Sequence, residues 1–363
     1  MNPGKNETEI TMYDQIKKFA IKSMLGFQTV LLFGLGRRLG IFDYLYEKAT
    51  SSSDSGDVSS VTFTPDELSQ GLNLDPQYLD GWLHMALECG IFDRDDSCNR
   101  CLKTAPYVYY LLVDRENMFY FGDVLGGFYY HAPFQEGLLE NFKTGKLVKW
   151  KDLPEDSLID GCKMSATMGK RIRDLFPQNF GEHAKKLREG GSLLEVGSGY
   201  GFNLKNWVDE YENAQIIGID IDPRGITYAK KLAKQNNWHD RVKNIQITIS
   251  DFAIEKKEKF DVILLNQVLH EMDPDENYRK RVFDDLFSML KKDGLLIVGE
   301  HMIPEMFATK QARYFEIMHK WFEVGLGSSF YDKNSFKEFI DSTPFQDAEF
   351  IDDGQTYFWA VKK

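Results

Sequence analysis

A glycine-rich turn carries the clearest chemical signal in this chain of 363 residues. Gly197, Gly199 and Gly201 follow the apolar run SLLEV and precede the helix-like run FNLKNWVDEY. Such glycines let the backbone approach a ligand closely, and the following helix offers free N–H groups. The spacing is G-x-G-x-G instead of the G-x-G-x-x-G of a pyrophosphate site, and Glu195 precedes it. A carboxylate would repel a pyrophosphate but suits a ligand with cationic groups; a purely structural turn is the alternative.

Acidic residues follow the next two apolar runs. Asp220 ends the run QIIGID and is placed to accept hydrogen bonds from ribose hydroxyls. Asp222 is a rival, although its place beside Pro223 favours a helix cap. Asp251 and Phe252 are predicted to end a third strand. There the carboxylate could accept from an exocyclic adenine amine, with the ring or the backbone of Phe252 against the base.

The elements that must position these residues begin at Gly191. Apolar strand runs alternate with amphipathic helices from there, which predicts a parallel sheet covered on both faces. Residues 348–363 contain Asp352-Asp353-Gly354 between two strand-like runs, as in a closing antiparallel hairpin. His270 lies just past the fourth run, at the carboxyl edge where open parallel sheets bind ligands.

The first 112 residues have a different, mainly helical pattern. Residues 13–46 predict two buried helices or one broken helix, and the polar residues 50–60 predict a surface loop. Thr64-Pro65 and Asp75-Pro76 each predict a helix start, and two short strands follow Gly90. This order is a winged-helix pattern. Residues 41–110 carry twelve acids against four bases, so we expect a dimerisation and substrate-covering domain instead of DNA binding.

Composition narrows the function further. Apolar residues make up 42% and charged residues 28%, as in folded soluble proteins. The net charge of −12 repels phosphate backbones, so we expect no nucleic-acid partner. The uncharged stretch Ser23–Gly36 is shorter than the roughly 20 residues that span a bilayer. It also lacks the features of a secretory signal, so we expect no membrane association and a cytoplasmic location.

The four cysteines are too few and too scattered for a disulfide framework, and we expect reduced thiols. Cys98 and Cys101 could form half of a zinc site, but no second Cys/His pair follows at short spacing. The sequence therefore predicts no metal.

Taken in order, the motifs LLEVGSGYG, GIDID, ISDF, FDVILLNQVLHE and LKKDGLLIVGE resemble the S-adenosylmethionine-dependent methyltransferases of the Rossmann-like class. The resemblance covers residues 191–363. The N-terminal motifs LGIFDYL and FTPDELSQGLNLDPQYLDGWLHMALECGIF are similar to the winged-helix domain of plant-type O-methyltransferases. They are still more similar to bacterial and invertebrate two-domain methyltransferases.

This resemblance implies an α/β fold, with a doubly wound, mostly parallel seven-stranded sheet after a mainly helical winged-helix domain. The implied boundaries are 1–112 for the winged-helix and dimerisation domain, 113–180 for a helical linker that covers the substrate, and 181–363 for the methyltransferase domain. The implied cofactor is S-adenosylmethionine. Its predicted pocket comprises Glu195, Gly197, Gly199, Gly201, Asp220, Ile221, Asp251, Phe252 and Asn266.

The resemblance also assigns roles near His270. In the plant-type enzymes the matching L-H-D-W segment supplies a general base for a phenolic hydroxyl, and a histidine suits that work because its pKa lies near neutral. Glu300 matches the glutamate that orients this histidine. Here Glu271-Met272 replaces Asp-Trp, and the family's second glutamate has no match in residues 325–334. His270 could instead be a packing or cofactor-side residue, because alignment alone can drive methyl transfer.

We therefore predict an enzyme that methylates a small-molecule acceptor at oxygen. The alternatives are methylation of a small thiol, and a non-catalytic protein that senses the cofactor or scaffolds another methyltransferase. We also predict a homodimer through the N-terminal domain. Its apolar side chains are Met24, Leu25, Phe27, Val30, Leu31, Leu32 and Phe33.

Overall fold

The computed structural model describes residues 12–52, 60–117, 119–127, 129, 141–303, 314–354 and 356–363. The chain divides into two units, residues 1–133 and 134–363. The finer three-domain boundaries stay a prediction.

Helices dominate the N-terminal unit. They are α1 (Met12–Arg38), α2 (Ile41–Ser52), α3 (Pro65–Leu72), α4 (Pro76–Glu88) and α5 (Val108–Leu112). Strands β1 (Thr62–Phe63), β2 (Phe92–Arg94) and β3 (Leu102–Thr104) form an antiparallel sheet in the order β1-β3-β2. Thr64 caps α3 in a capping box with Glu67, and Asp75 caps α4, which confirms the two predicted helix starts. The winged-helix assignment stays a prediction.

The first helix is longer and more exposed than expected. α1 is continuous to Arg38 and the chain turns at Gly40, which has a φ of +72°. Leu32 and Phe33 are buried, but Met24 and Phe27 are 69% and 56% exposed. The expectation of buried helices is therefore wrong for this part of α1. α2 runs to Ser52, so the predicted loop begins later, and residues 53–59 lie outside the described residues.

By length and composition α1 could cross a membrane, with 24% of its most apolar stretch buried. Core helices of soluble proteins pass the same test. The expectation of no membrane association stays a prediction.

The cysteines differ from the expectation at one pair. Cys98 and Cys101 form a disulfide in the turn between β2 and β3, whereas Cys89 and Cys162 are free. The turn closes through the backbone bond from Asp95 N to Cys101 O and holds the two Cα atoms 5.2 Å apart. The expectation of reduced thiols is wrong for this pair.

The C-terminal unit alternates strands and helices. Its helices are α6 (Glu155–Asn179), α7 (Gly181–Arg188), α8 (Phe202–Glu210), α9 (Pro223–Gln235), α10 (Ile249–Glu255), α11 (Glu276–Met289), α12 (Tyr314–Glu323) and α13 (Lys333–Asp341). Its strands are β4 (Ser192–Val196), β5 (Gln215–Asp220), β6 (Val242–Gln246), β7 (Phe260–Asn266), β8 (Leu290–Gly299), β9 (Gln346–Asp352) and β10 (Tyr357–Lys362). Short 3-10 turns cover Trp150–Asp152, Leu269–Glu271 and Val324–Leu326.

These seven strands form one sheet in the order β6-β5-β4-β7-β8-β10-β9. The first five are parallel, and β10 pairs antiparallel with both β8 and β9. Alternate residues of β4 and β7 enter separate apolar clusters, so both faces of the sheet are covered. The predicted α/β fold and the closing hairpin are confirmed. The chain order reverses between β4 and β7, where open sheets of this kind bind ligands.

Candidate functional site

The glycine turn joins β4 to α8 at this reversal. Gly197, Gly199 and Gly201 have φ values of +72°, +49° and +81°, a region that favours glycine. A Cβ on Gly197 would lie 2.3 Å from Cγ2 of Val268, two residues before His270. The N–H groups of Gly197 and Ser198 donate to Ile219 O. The first part of the turn is thus fixed by hydrogen bonds to β5, before the start of α8 at Phe202.

Glu195 lies beneath this turn in β4 and is 2% exposed. Its Oε1 accepts a hydrogen bond from Nδ2 of Asn203 at 2.6 Å, while its Oε2 is buried without a hydrogen-bond partner among the residues that the structure describes. Burial raises the pKa of Glu195 to about 8, and nearby Asp220 adds to the rise. A buried carboxyl with one oxygen unsatisfied fits a cationic ligand group, because a cation would favour its ionised form.

Asp220, at the end of β5, closes onto the turn. Its Oδ2 accepts from Gly199 N and its Oδ1 from Asp222 N, each at 2.8 Å. Burial raises the pKa of Asp220 despite these bonds. Asp222 is the N-cap of α9 and accepts from Arg224 N, so the predicted capping role is confirmed. Each Asp220 oxygen has a further lone pair, which leaves capacity for ribose hydroxyls.

Asp251 and Phe252 lie in a helix and not at the end of a strand. Asp251 does not end a strand: β6 stops at Gln246, Thr248 caps α10, and Asp251 is exposed in its first turn. The Phe252 ring is buried and stacks on Phe260 with 6.1 Å between centroids, so a base could meet only its backbone. Both placements correct the expectation for this motif.

Two more members of the predicted pocket lie at strand ends. Ile221, just after β5, is 72% exposed. Asn266 ends β7, where its Nδ2 donates to Ser165 O at 3.1 Å and its buried Oδ1 has no hydrogen-bond partner in the described part of the chain. The cofactor roles of both residues stay predictions.

His270 and Glu300 meet at the carboxyl ends of β7 and β8. Nδ1 of His270 lies 2.8 and 2.9 Å from the two carboxylate oxygens of Glu300, and His270 N donates to the same carboxylate at 3.1 Å. Both side chains are nearly inaccessible. The coupling lowers the pKa of Glu300 and raises that of His270 to about 9, although burial opposes both shifts. Glu300 thus fixes the imidazole with Nδ1 protonated and Nε2 directed away from it.

Two residues of α12 reach the same place and escaped the sequence reasoning. Nε2 of His319 lies 3.3 Å from Nε2 of His270. One ring nitrogen of each histidine and a carboxylate oxygen of Glu323 lie within 4.8 Å of one another. Phe330 stacks on the His270 ring at 4.8 Å. Glu323 ends α12 just before residues 325–334, where a second glutamate was sought. His319 and Glu323 are four residues apart, which places them on one helix face and was the only available signal.

Comparison with known proteins identifies the domain that carries this geometry. Residues 187–343 match a family model described as a methyltransferase domain. The C-terminal unit contains a methyltransferase domain. The match bears out the predicted methyltransferase class at the level of this domain, and S-adenosylmethionine as the cofactor of this chain stays a proposal.

Individual relatives match parts of this chain or its fold. Erythromycin 3''-O-methyltransferase of Saccharopolyspora erythraea is 30% identical over 118 residues, 32% of this chain and 37% of that protein. The chain spans less than half the length of the curated relatives that it matches. An O-methyltransferase family protein from Burkholderia thailandensis superposes with a TM-score of 0.68 at 12% identity, covering 97% of this chain and 98% of that one. Human N-acetylserotonin methyltransferase, in complex with S-adenosylmethionine, gives 0.64 at 12% identity and 99% coverage of both chains. At these identities the structures show a shared fold.

Proposed function

We propose that this protein is an S-adenosylmethionine-dependent methyltransferase that methylates a small-molecule acceptor at oxygen. The observation that carries the proposal is the glycine turn of the methyltransferase domain, closed onto Asp220 and in contact with the Val268 side of the His270 segment. The turn that would bind the cofactor thus lies beside the segment of His270, whose Nδ1 is hydrogen-bonded to the carboxylate of Glu300.

The turn and its acids would hold the cofactor, whose sulfonium supplies an electrophilic methyl group. Asp220 would accept from the ribose hydroxyls through its remaining lone pairs. Glu195, with one buried oxygen unsatisfied, would compensate the positive charge of the ligand. Asp251, exposed at the start of α10, stays the proposed partner of the adenine amine.

His270 would act on the acceptor. Glu300 holds Nδ1, so Nε2 is the nitrogen that can take the proton of a hydroxyl as its oxygen attacks the methyl group. It does so in the neutral form of His270, and because the pKa of His270 is raised to about 9, we expect turnover to increase as the pH approaches that value. Glu300 is the positioning residue in this arrangement. The names of erythromycin 3''-O-methyltransferase and N-acetylserotonin methyltransferase support a small-molecule acceptor, and the first supports oxygen as the methylated atom.

The proposal is tested in two steps with the purified full-length chain. Calorimetry with S-adenosylmethionine should show one site per chain, and Gly197→Ala should abolish it while Gly161→Ala, in open space on α6, should not. Incubation with methyl-labelled cofactor and a metabolite extract should then give a labelled small molecule, identified by mass. A product labelled on sulfur would favour the thiol alternative, and cofactor binding without any labelled product would favour a sensing or scaffolding protein.

We also propose the homodimer, because Met24 and Phe27 expose apolar surface on α1. Light scattering at micromolar concentration should give twice the chain mass of 42.0 kDa. Phe27→Asp should return the single-chain mass, and a single-chain mass for the unaltered protein would refute the dimer. We keep the cytoplasmic location as a proposal: the free thiols of Cys89 and Cys162 favour it, whereas the Cys98–Cys101 disulfide favours an oxidising compartment. Fractionation of the source cells tests it.

A further inference from the structure

The tip of the β2–β3 hairpin carries chemistry that the proposed function does not use. Cys98 and Cys101 form a disulfide in this turn, and their sequence separation is three residues. Cys98 and the neighbouring residues Asn99 and Arg100 are exposed, and Cys101 is half-buried. The disulfide therefore lies at the surface of the N-terminal unit, where a dissolved thiol can reach it.

The hairpin does not depend on this disulfide for its structure. β2 and β3 pair along all three residues of each strand, and Asp95 N donates to Cys101 O at 3.0 Å. Phe92 and Leu102 anchor the two strands in the apolar core of the unit. A disulfide stabilises a fold mainly by closing a loop in the unfolded chain, and the effect grows with loop length. A loop this short gains little, so the bond is not needed to hold the strands together.

Polar contacts of the turn would keep the two sulfur atoms near each other after the bond is broken. Asp95 accepts a hydrogen bond from Ser97 N at 2.8 Å through Oδ1, and Oδ2 accepts from the hydroxyl of Thr62 in β1. Arg100 pairs with Asp66 of α3 at 3.7 Å. None of these contacts uses sulfur. A dithiol held in this turn is therefore placed to form the disulfide again.

The other cysteines show that the chain also carries reduced sulfur. Cys89 and Cys162 are free, and burial raises the pKa of Cys162 to about 12, so this thiol stays protonated and unreactive near neutral pH. In a reducing compartment disulfides are usually transient and take part in catalysis or redox sensing. Exposed disulfides are more readily reduced than structural ones. Both generalisations fit an exposed pair in a chain that keeps two free thiols.

We propose that Cys98 and Cys101 form a reversible thiol–disulfide exchange site, which dithiols reduce and small disulfides oxidise. A thiolate of the dithiol attacks Sγ of the exposed Cys98, the bond between the two cysteines breaks, and its electron pair leaves on Sγ of Cys101, which takes a proton from water. The second thiolate of the dithiol then attacks its own sulfur in the mixed disulfide and releases Cys98 as a thiolate, which is protonated in turn. The dithiol becomes a disulfide, and the protein gains two electrons and two protons.

Oxidation reverses these steps with a small disulfide as the electron acceptor. The thiolate of Cys98 attacks that disulfide and forms a mixed disulfide, and Cys101 then attacks Sγ of Cys98 and releases the second thiol. This chemistry needs neither a methyl donor nor an acceptor, so it goes beyond the proposed function. Its structural effect is confined to the turn: reduction should loosen the hydrogen bond from Cys101 N to Cys98 O, now 3.4 Å long, and leave β2 and β3 paired.

Alkylation with N-ethylmaleimide and mass spectrometry test the exchange on the folded full-length chain. Protein treated with oxidised glutathione and alkylated in denaturant should carry two labels, on Cys89 and Cys162. After dithiothreitol acts on the folded protein, four labels are expected, with the two new ones on the hairpin peptide, and oxidised glutathione should restore two. Failure of the pair to form with oxidised glutathione would overturn the inference, as would a disulfide that dithiothreitol reduces only after the protein is unfolded.

Single variants identify the attacked sulfur. Cys101→Ser should form a mixed disulfide with oxidised glutathione several-fold faster than Cys98→Ser does, because Cys98 is the more exposed residue of the pair. Cys89→Ser, which removes a free cysteine and keeps the pair, is the matched control and should exchange as the unaltered protein does. Equal rates for the two pair variants, both shown to be folded by circular dichroism, would overturn the assignment of Cys98.

Amide hydrogen exchange gives a readout that does not depend on labelling sulfur. In the reduced protein the N–H of Cys101 should exchange faster, whereas the N–H groups that pair β2 with β3 should be unchanged. Loss of protection along both strands would show that the disulfide holds the hairpin together and would overturn the inference. An exchange pattern identical in the two redox states would overturn its predicted effect on the turn.

Discussion

Replacing Glu195 by glutamine should change stability and cofactor binding in opposite directions. Glu195 is 2% exposed, and burial raises its pKa to about 8 even though Asn203 donates to it. The ionised form is therefore disfavoured in the folded protein. Glutamine keeps the shape and the acceptor for Asn203 but carries no charge.

The sign of the stability effect follows from the raised pKa. Glu195 has a pKa near 4.5 in the unfolded chain and about 8 in the fold. The unfolded state loses this proton first, so the free energy of unfolding falls as the pH rises from about 4.5 to 8. At about 1.4 kcal/mol per pKa unit the penalty at alkaline pH is on the order of 5 kcal/mol. Glu195→Gln removes it, so the variant gains stability relative to the unaltered protein as the pH rises.

Glu195→Gln should weaken cofactor binding, although it stabilises the fold. A cation beside Glu195 favours the carboxylate, so below pH 8 the carboxyl must release a proton when the ligand binds. The affinity of the unaltered protein should then rise up to about tenfold per pH unit between pH 6 and 8. The glutamine variant should bind more weakly and without this dependence.

Thermal unfolding and calorimetry with S-adenosylmethionine at pH 6 and pH 8.5 check both effects. Glu189→Gln, at an exposed position after α7, controls for the loss of a surface charge. The reasoning is refuted if Glu195→Gln leaves the dissociation constant unchanged, or if its stability relative to the unaltered protein is the same at both pH values.

Three further substitutions probe separate contacts. Asp220→Asn should raise the dissociation constant of the cofactor about 10–150-fold, since one of two charge-assisted acceptors becomes a donor facing an N–H group; calorimetry showing no change in a folded variant contradicts this. Gly197→Ala should also lower the melting temperature, because its Cβ would strike Val268 and its φ is positive; unfolding at the temperature of Gly161→Ala would disprove it. Asp123 is buried, and its ion pairs with Arg37 and Arg115 lower its pKa. Asp123→Asn should therefore lower the free energy of unfolding, measured with denaturant at pH 7, by about 3 kcal/mol. The ion pairs stabilise the fold above the pKa that Asp123 has in the unfolded chain, and this stabilisation is lost as the pH falls through the lower pKa of Asp123 in the folded protein. If Asp123→Asn lowers the free energy of unfolding equally at pH 7 and at pH 3, that result would count against the ion pairs.

Local patterns in the sequence predicted the sheet and its first turn. β4, β5 and β7 are continuous apolar runs because both of their faces are covered, and the glycines of the turn have conformations that other residues rarely adopt. The sequence predicted Asp251 at a strand end because the run IQITIS alternates apolar and polar residues as a strand does, although a helix begins within it. Thr248 accepts from Asp251 N at 3.2 Å, a cap that the order Thr-Ile-Ser-Asp contains.

Long-range contacts set the limit of this reasoning. His319 is 49 residues from His270, and their contact depends on how α12 packs against the residues that follow β7 and β8. The spacing of His319 and Glu323 predicts a shared helix face but not which strand ends it approaches. The Cys98–Cys101 pair likewise depends on the closure of one hairpin, which the count of cysteines does not reveal.

The glycine turn is held from two sides before any ligand arrives. Asp220 binds Gly199 N from β5, and α9 presses so closely that a Cβ on Gly225 would lie 2.8 Å from Gly199 O. Since the backbone is already ordered, binding at this turn loses little conformational entropy there. The calorimetric signature should therefore be dominated by the ligand's own contacts. Gly225, in the helix that packs against the turn, therefore has no room for a side chain, because a Cβ there would displace the backbone of Gly199.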